Sequence, residues 1–297
     1  MKPVLKWVGG KTQILDEVFS MFPSEMVNYH EPFLGGGSVL LELLTRAKSG
    51  KINITGKVYA SDLNENLINF YKNVQSQLSK LIVQLTRLVE EWDSITGQEV
   101  NRQASNIEEA STSKESYYYW VRSQFNSLSA EERRTPRASA LFLFLNKTCF
   151  RGVYREGPNG FNVPFGNYKN PSVFDKKHLK ELSGLIKDCV FTHQDFVDSL
   201  KLVKKDDFVY LDPPYAPETE TSFVSYTVNK FTLENHTKLF DILKGNIKFL
   251  MSNSDVPLVK NAFPSPEFTT KVITCRRAIH SKNPETKTNE VLIAKAE

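Results

Sequence analysis

Three observations predict an α/β chain built on a largely parallel sheet with an insertion between its two halves. Short apolar runs alternate with stretches of helical spacing in both halves of the sequence. A glycine-rich turn joins the first run to a helix, and a polar and then basic segment separates the N-terminal pattern from its resumption near Cys189. The 297 residues, 40% hydrophobic and 24% charged, can bury a large core.

Residues 27–33 read as a short strand that enters Leu34-Gly35-Gly36-Gly37-Ser38, and residues 39–47 as the helix beyond. Glycines let the backbone approach a ligand closely at the carboxyl end of a strand, where open α/β sheets bind ligands. Residues 58–61 form the next expected strand. It ends in Asp62, about 25 residues past the turn, where a carboxylate can bind ribose hydroxyls or cap the following helix. That helix is expected over 67–88, with Phe70, Tyr71, Val74, Leu78, Leu81, Ile82 and Leu85 on its core stripe. Residues 93–116 turn polar and read as a mobile surface insertion. Two helices follow, around 117–120 and 138–145, with a charged link over 131–137. Residues 152–156 and 161–165 flank Gly157-Pro158-Asn159-Gly160 and read as a β-hairpin, a ribbon that fits a DNA major groove. Strands then resume at 189–192, 208–211 and 247–251, and a last one spans 290–294.

Charge is concentrated. The chain carries a formal +4, yet residues 117–177 hold ten Lys/Arg against four Asp/Glu, interleaved with Phe150, Tyr154, Phe161 and Phe165. That mixture suits a phosphate backbone and its bases, or a solvated basic face. The three cysteines, Cys149, Cys189 and Cys275, are far apart and fit neither a disulfide framework nor a metal site, which points to a reducing, intracellular setting. The five histidines lack metal-ligand spacing, so no metal is expected. Apolar stretches stay short of the roughly 18 residues a membrane span needs, and the start has no apolar leader. Gly10-Lys11-Thr12 resembles the end of a phosphate-binding P-loop, but that loop requires glycine where this chain has Leu5.

The most specific chemistry lies in Asp212-Pro213-Pro214-Tyr215, directly after the apolar run Phe208-Val209-Tyr210-Leu211. Two prolines end a strand because neither has an N–H for the ladder. Asp212 then offers carboxylate oxygens and Pro213 a free carbonyl, so two acceptors can face the two N–H bonds of an exocyclic amino group while Tyr215 stacks on its ring. Accepting both hydrogens favours the state in which that nitrogen becomes tetrahedral and nucleophilic. A proline turn closing a surface strand is the bland alternative.

Four blocks in order, Lys6-Trp7-Val8-Gly9-Gly10-Lys11, Glu31-Pro32-Phe33-Leu34-Gly35-Gly36-Gly37-Ser38-Val39, Phe161-Asn162-Val163-Pro164-Phe165-Gly166 and Asp212-Pro213-Pro214-Tyr215, resemble the Dam family of DNA adenine N6-methyltransferases, in the α group of amino-methyltransferases. The resemblance covers nearly the whole chain apart from residues 93–116. It implies a Rossmann-like methyltransferase sheet formed by 1–71 and 177–297, with an inserted helical and β-hairpin target-recognition domain over 72–176. It implies S-adenosylmethionine as cofactor, bound by Trp7, Lys11, Phe33, Gly35, Gly37, Asp62 and Asp212, with Asp195 and Phe196 flanking its adenine. Asp212, Pro213, Pro214 and Tyr215 would be the catalytic residues. The implied partner is double-stranded DNA, from which the target base must first be flipped, and the implied place is the cytoplasm or the nucleoid, with a companion restriction endonuclease as one setting.

In relatives the hairpin reads a short sequence, often GATC, and Arg155 matches the position that contacts guanine. Phe150, Arg151, Val153 and Pro164 fall at other DNA-contacting positions, Arg151 where many relatives carry a smaller polar residue. Residues 222–230 resemble the loop that closes over a flipped base, and Arg276-Arg277 could contact phosphates. Two alternatives stay open: an amino-methyltransferase acting on RNA, and a catalytically idle DNA-binding regulator.

Overall fold

The computed structural model describes residues 1–217, 231–276 and 287–296. They group into two compact units, the first of Met1–Gly10, Gly35–Leu41 and Asn64–Lys187, the second of Lys11–Leu34, Glu42–Leu63 and Asp188–Glu297. In chain order the strands are β1 (Glu25–Met26), β2 (Tyr29–Glu31), β3 (Asn53–Ile54), β4 (Val58–Asp62), β5 (Glu156–Gly157), β6 (Gly160–Phe161), β7 (Cys189–His193), β8 (Phe208–Leu211), β9 (Lys248–Ser254), β10 (Phe268–Arg276) and β11 (Lys287–Lys295).

Among the described residues, seven strands build the sheet of the second unit in the order β10-β11-β9-β8-β2-β4-β7. From β9 through β7 every neighbour is parallel, whereas β11 is antiparallel to both β9 and β10. Only β11 is therefore reversed, and the expected largely parallel sheet is found. Strand order proceeds outward from β2 in both directions, to β4 and β7 on one side and to β8 and β9 on the other. The crevice at the carboxyl ends of β2 and β8 is thus the switch point where such sheets bind ligands.

The apolar character of β8 follows from its central place. All four of its residues are buried, as required of a parallel strand covered on both faces. Val209 and Leu211 share a core with Phe249 and Met251 of β9 and with Leu239 and Phe240 of the helix Leu233–Leu243. That helix starts at a capping box: the Thr232 hydroxyl accepts from the Asn235 N–H, and the Asn235 side chain accepts from the Thr232 N–H. Strand β10 went unanticipated because its buried residues, Phe268 and Ile273, break the period of two that marks a strand.

The first unit is helical around Pro136–Thr148, whose residues from Ala138 through Asn146 are all buried. A helix apolar on every side must lie at the centre of its unit. Thr135 caps it and Pro136 supplies a pre-set first turn. The helix expected over 67–88 is two helices, Glu65–Ser76 and Leu78–Ser94, parted where Gln77 leaves helical geometry (φ −133°, ψ 29°). Buried Leu67, Tyr71, Val74, Leu81, Leu85, Leu88 and Trp92 keep one phase through the break, so periodicity could not reveal it. Residues 93–116 are also more ordered than expected. Asn106 caps the helix Ile107–Ala110, and the buried Ser116 hydroxyl accepts from the Asn101 N–H and donates to the Glu99 carbonyl. Short polar side chains there satisfy backbone groups locally instead of leaving them to solvent.

The hairpin is shorter than predicted, since β5 and β6 are two residues each. Arg151 (φ 57°) and Gly152 (φ 65°) turn the chain sharply just before it, which prevents an extended strand over 152–156. The compact unit is also wider than the expected insertion 72–176. Gln75 donates to the carbonyls of Ile186 and Lys187, and Asn146 exchanges two hydrogen bonds with the Lys6 backbone, drawing both flanks into the same packing.

Candidate active site

In the second unit the tetrapeptide Asp212-Pro213-Pro214-Tyr215 leaves the carboxyl end of β8 and is held from three sides. Lys11, only 5% exposed, brings its ammonium to 2.7 Å from Asp212 Oδ2. A cation that deeply buried needs such a partner. The same ammonium lies 5.0 Å from the centroid of the Tyr215 ring. The Tyr215 hydroxyl donates to Glu290 Oε2 of β11 at 2.7 Å. From β9, Asn253 Oδ1 accepts from the Ala216 N–H at 3.0 Å and the Ser254 hydroxyl donates to the Ala216 carbonyl. The two prolines leave no N–H to compete, so the loop is fixed through its side chains and the residue that follows it.

Electrostatically this crevice is crowded with acids. Burial raises the Asp212 carboxyl above the usual aspartate range, against the pull of Lys11, and Glu290 adds to the rise. At the end of β2, Glu31 is pushed up to about 8, chiefly by burial; Asp212 and Asp62 reinforce the shift, while a 2.6 Å hydrogen bond from the Tyr29 hydroxyl opposes it. Asp62 ends β4, the neighbouring strand. The helix-cap alternative for Asp62 falls away because Asn64 caps Glu65–Ser76, accepting from the Leu67 N–H. Phe33 stacks on Phe196 with centroids 5.6 Å apart. Asp195 caps the short helix that begins at Phe196, accepting from the Val197 N–H at 2.8 Å.

In the first unit, Trp7 lies along the glycine turn. A Cβ added at Gly35 would come within 3.0 Å of the Trp7 Cδ1, and one at Gly36 within 2.9 Å of the Trp7 Cβ. Gly35 (φ 51°) and Gly37 (φ 71°) also adopt the left-handed geometry that side chains resist. The half-buried indole stacks on Tyr154 at 5.7 Å. Tyr154 receives a hydrogen bond from Asn66 and donates one to Glu156.

Around the hairpin, Phe150, Arg151, Arg155 and Pro164 are exposed and Val153 is half-buried. The Arg151 guanidinium sits 5.2 Å from the Phe150 ring centroid. Arg155 is pre-oriented by Asn162, to whose Oδ1 and backbone carbonyl it donates. Residues 222–230 and Arg277 lie outside the described residues.

Within the second unit the structure thus brings Lys11, Asp212 and Tyr215 into contact and pairs Phe33 with Phe196. Sequence reasoning did not single out Glu31, Asn253 or Glu290. A Ser-Asn pair inside the buried strand β9 was the available signal for Asn253; nothing in the sequence around Glu290 marked it.

A family model described as D12 class N6 adenine-specific DNA methyltransferase matches residues 7–279. The chain is 36% identical to the type II methyltransferase M.MjaIII of Methanocaldococcus jannaschii, over 97% of this chain and 96% of that one. It is 32% identical to a DNA adenine methylase of Haemophilus influenzae (96% and 89% covered) and 29% identical to that of Escherichia coli strain K12 (98% and 93%). Among solved structures, TrmN from Thermus thermophilus aligns over 95% of this chain and 48% of its own, at a TM-score of 0.38 and 12% identity, too distant a likeness to inform the site.

Proposed function

The chain belongs to the D12 class of N6 adenine-specific DNA methyltransferases, and from that premise we propose that it transfers a methyl group from S-adenosylmethionine to N6 of adenine in a short duplex sequence such as GATC. The observation that carries the mechanism is the fixed Asp212-Pro213-Pro214-Tyr215 loop at the switch point, with Lys11 on Asp212 and Glu290 on Tyr215.

The donor set suits the proposed cofactor. Glu31 and Glu290 each act on Asp212, Glu31 also on Asp62, and Asp212 pairs with the Lys11 ammonium; such an acidic crevice favours a ligand with positive charge and ribose hydroxyls. When bound, S-adenosylmethionine supplies an electrophilic methyl group on a sulfonium. Lys11 and Asp212 would hold its amino-acid part, Asp62 its ribose, and the stacked Phe33 and Phe196 its adenine, with Asp195 beside them. In the first unit, Trp7, Gly35 and Gly37 are proposed as cofactor-binding residues from the family resemblance. Asp212 and the Pro213 carbonyl accept the two N6 hydrogens of the target adenine, Pro214 keeps the loop free of competing donors, and Tyr215 stacks on the base. These groups orient the amine and stabilise positive charge as it develops on N6.

Residues 72–176 are proposed as the target-recognition segment between the catalytic parts 1–71 and 177–297. Arg155 reads guanine, while Phe150, Arg151, Val153 and Pro164 complete the base-contacting surface. Among the described residues no helix is long and apolar enough to cross a membrane. As a protein acting on duplex DNA, it is proposed to reside in the cytoplasm or at the nucleoid.

Incubation of the purified chain with S-adenosylmethionine and unmethylated genomic DNA, followed by single-molecule sequencing, tests this reading. N6-methyladenine confined to one short motif is expected; absence of the mark, with cofactor binding established, would overturn it.

A further inference from the structure

The reversal of β11 has its consequence at the catalytic loop. Because β11 is antiparallel to β9, the register that pairs Glu290 with Ser254 brings the first half of β11 beside the carboxyl end of β9, where Ser254 is the last residue. A strand parallel to β9 would bring its own carboxyl end there instead. The two cross-strand partners act on consecutive loop residues: the Tyr215 hydroxyl donates to Glu290 Oε2 at 2.7 Å, and the Ser254 hydroxyl donates to the Ala216 carbonyl. Their tasks differ. Ser254, together with Asn253 on the Ala216 N–H, fixes the backbone, whereas Glu290 holds a side chain by its far end. The support is firm, since Val291, Leu292 and Ile293, directly after Glu290, are fully buried.

A stacking tyrosine needs such a hold. Rotation about the bond to its ring is broad, and Pro213 and Pro214 restrict the backbone before Tyr215 but not that rotation. The Lys11 ammonium lies over the ring, 5.0 Å from its centroid, and the bond to Glu290 settles where the hydroxyl points. Burial raises the Tyr215 phenol far above its ordinary value, so the hydroxyl keeps the proton that it donates. Resting on the stacking role of Tyr215 given above, we propose that Glu290 is a positioning residue for methyl transfer: it holds the Tyr215 ring in the plane on which the target base stacks, and through the ring it aligns N6 with the methyl group. Glu290 acts through the ring and needs no contact with base or donor. What the position requires is an acceptor for the phenol, which a glutamine amide oxygen also supplies. A misalignment of about 1 Å at a reacting atom can cost about a hundredfold in rate.

The test is steady-state methylation by the full chain, with S-adenosylmethionine and a duplex carrying the motif that sequencing identifies, compared for the parent, Glu290→Ala, Glu290→Gln and Tyr215→Phe. Glu290→Ala should lower kcat by about tenfold to a hundredfold while KM for S-adenosylmethionine stays within about twofold of the parent. Glu290→Gln should restore most of the lost rate, which a loss of charge or of general stability would not allow. Tyr215→Phe keeps the ring and removes the donor, so it should match Glu290→Ala, and the double variant should be no slower than either single one. Should Glu290→Ala fail to fold, Tyr215→Phe and Glu290→Gln carry the test. An unchanged kcat in Glu290→Ala or Tyr215→Phe, a glutamine variant as slow as the alanine one, or additive losses in the double variant overturns the proposal and leaves the methyltransferase reading intact. Absence of methyl transfer by the parent chain overturns that reading and this inference with it.

Discussion

At the scale of single residues, the site depends on how the Lys11 ammonium and burial together set the charge of Asp212. Lys11 lowers the titration of Asp212, while burial and Glu290 raise it. An acceptor for N6 hydrogens works best when ionised, so Lys11→Met should shift the acid limb of the rate–pH profile to higher pH; a limb that stays in place, or moves down, would dissociate Lys11 from the state of Asp212. Asp212→Ala should reduce methyl transfer by at least about a hundredfold with the melting temperature near that of the parent chain, and a near-parental rate would remove Asp212 from the mechanism. Much of this was legible beforehand. Asp212, Tyr215 and Lys11 stand in local patterns whose chemistry can be read from residue type. Glu31 was legible only as part of a motif, because its distinguishing property is desolvation, which neighbours distant in sequence create.

At the scale of elements, local signals fared well wherever they acted through the backbone. Prolines ended β8, glycines made the turn after β2, and the run Ala138 to Leu145 located the buried helix Pro136–Thr148. They failed where tertiary packing overrode or hid them: at Gln77, where two helices share one apolar phase, and in the hairpin, where a tight turn at Arg151 and Gly152 shortens the ladder. The hairpin offers two checks. Gly160 has φ 87°, and a Cβ there would meet Asn126 Oδ1 at 2.6 Å, the atom that accepts from the Phe161 N–H. Gly160→Ala should therefore cost about 1–3 kcal/mol in denaturant unfolding and weaken duplex binding without changing affinity for S-adenosylhomocysteine. Arg155→Ala removes a guanidinium already aimed by Asn162. It should relax sequence choice at one base pair by about 1–3 kcal/mol, read by sequencing of methylated sites; unchanged discrimination would take Arg155 off the recognition surface.

At the scale of the whole molecule, two buried groups shape stability against pH in opposite senses. His236, lowered to about 4 by burial, binds more protons unfolded than folded, so it adds stability as pH rises from about 4 to 6.5. Glu31 behaves inversely. Its folded titration, raised from 4.5 to about 8, means the folded chain holds a proton the unfolded chain lacks, so stability falls as pH rises through that window by up to about 1.4 kcal/mol per pH unit. Asp212, also raised, acts in the same sense. The two main effects offset each other in mild acid, and above about pH 6.5 only the loss remains. Melting temperatures of the ligand-free chain should hold nearly level from pH 5 to 6.5 and drop toward pH 8, and Glu31→Gln should remove the drop; equal drops in both proteins would assign it elsewhere.

What the sequence determined by itself is what adjacent residues can encode: strand ends at proline, left-handed turns at glycine, helices by spacing, and the acceptor chemistry of Asp212-Pro213-Pro214-Tyr215. The tertiary structure alone decided the strand order that makes β2 and β8 neighbours, the reversal of β11, the anchoring of the loop by Asn253 and Glu290, and the burial that raises the titration of Glu31. The physical reason is range. Backbone geometry is settled within a few residues, whereas pairing across a sheet and the loss of water around a charge depend on segments the chain brings together only by folding.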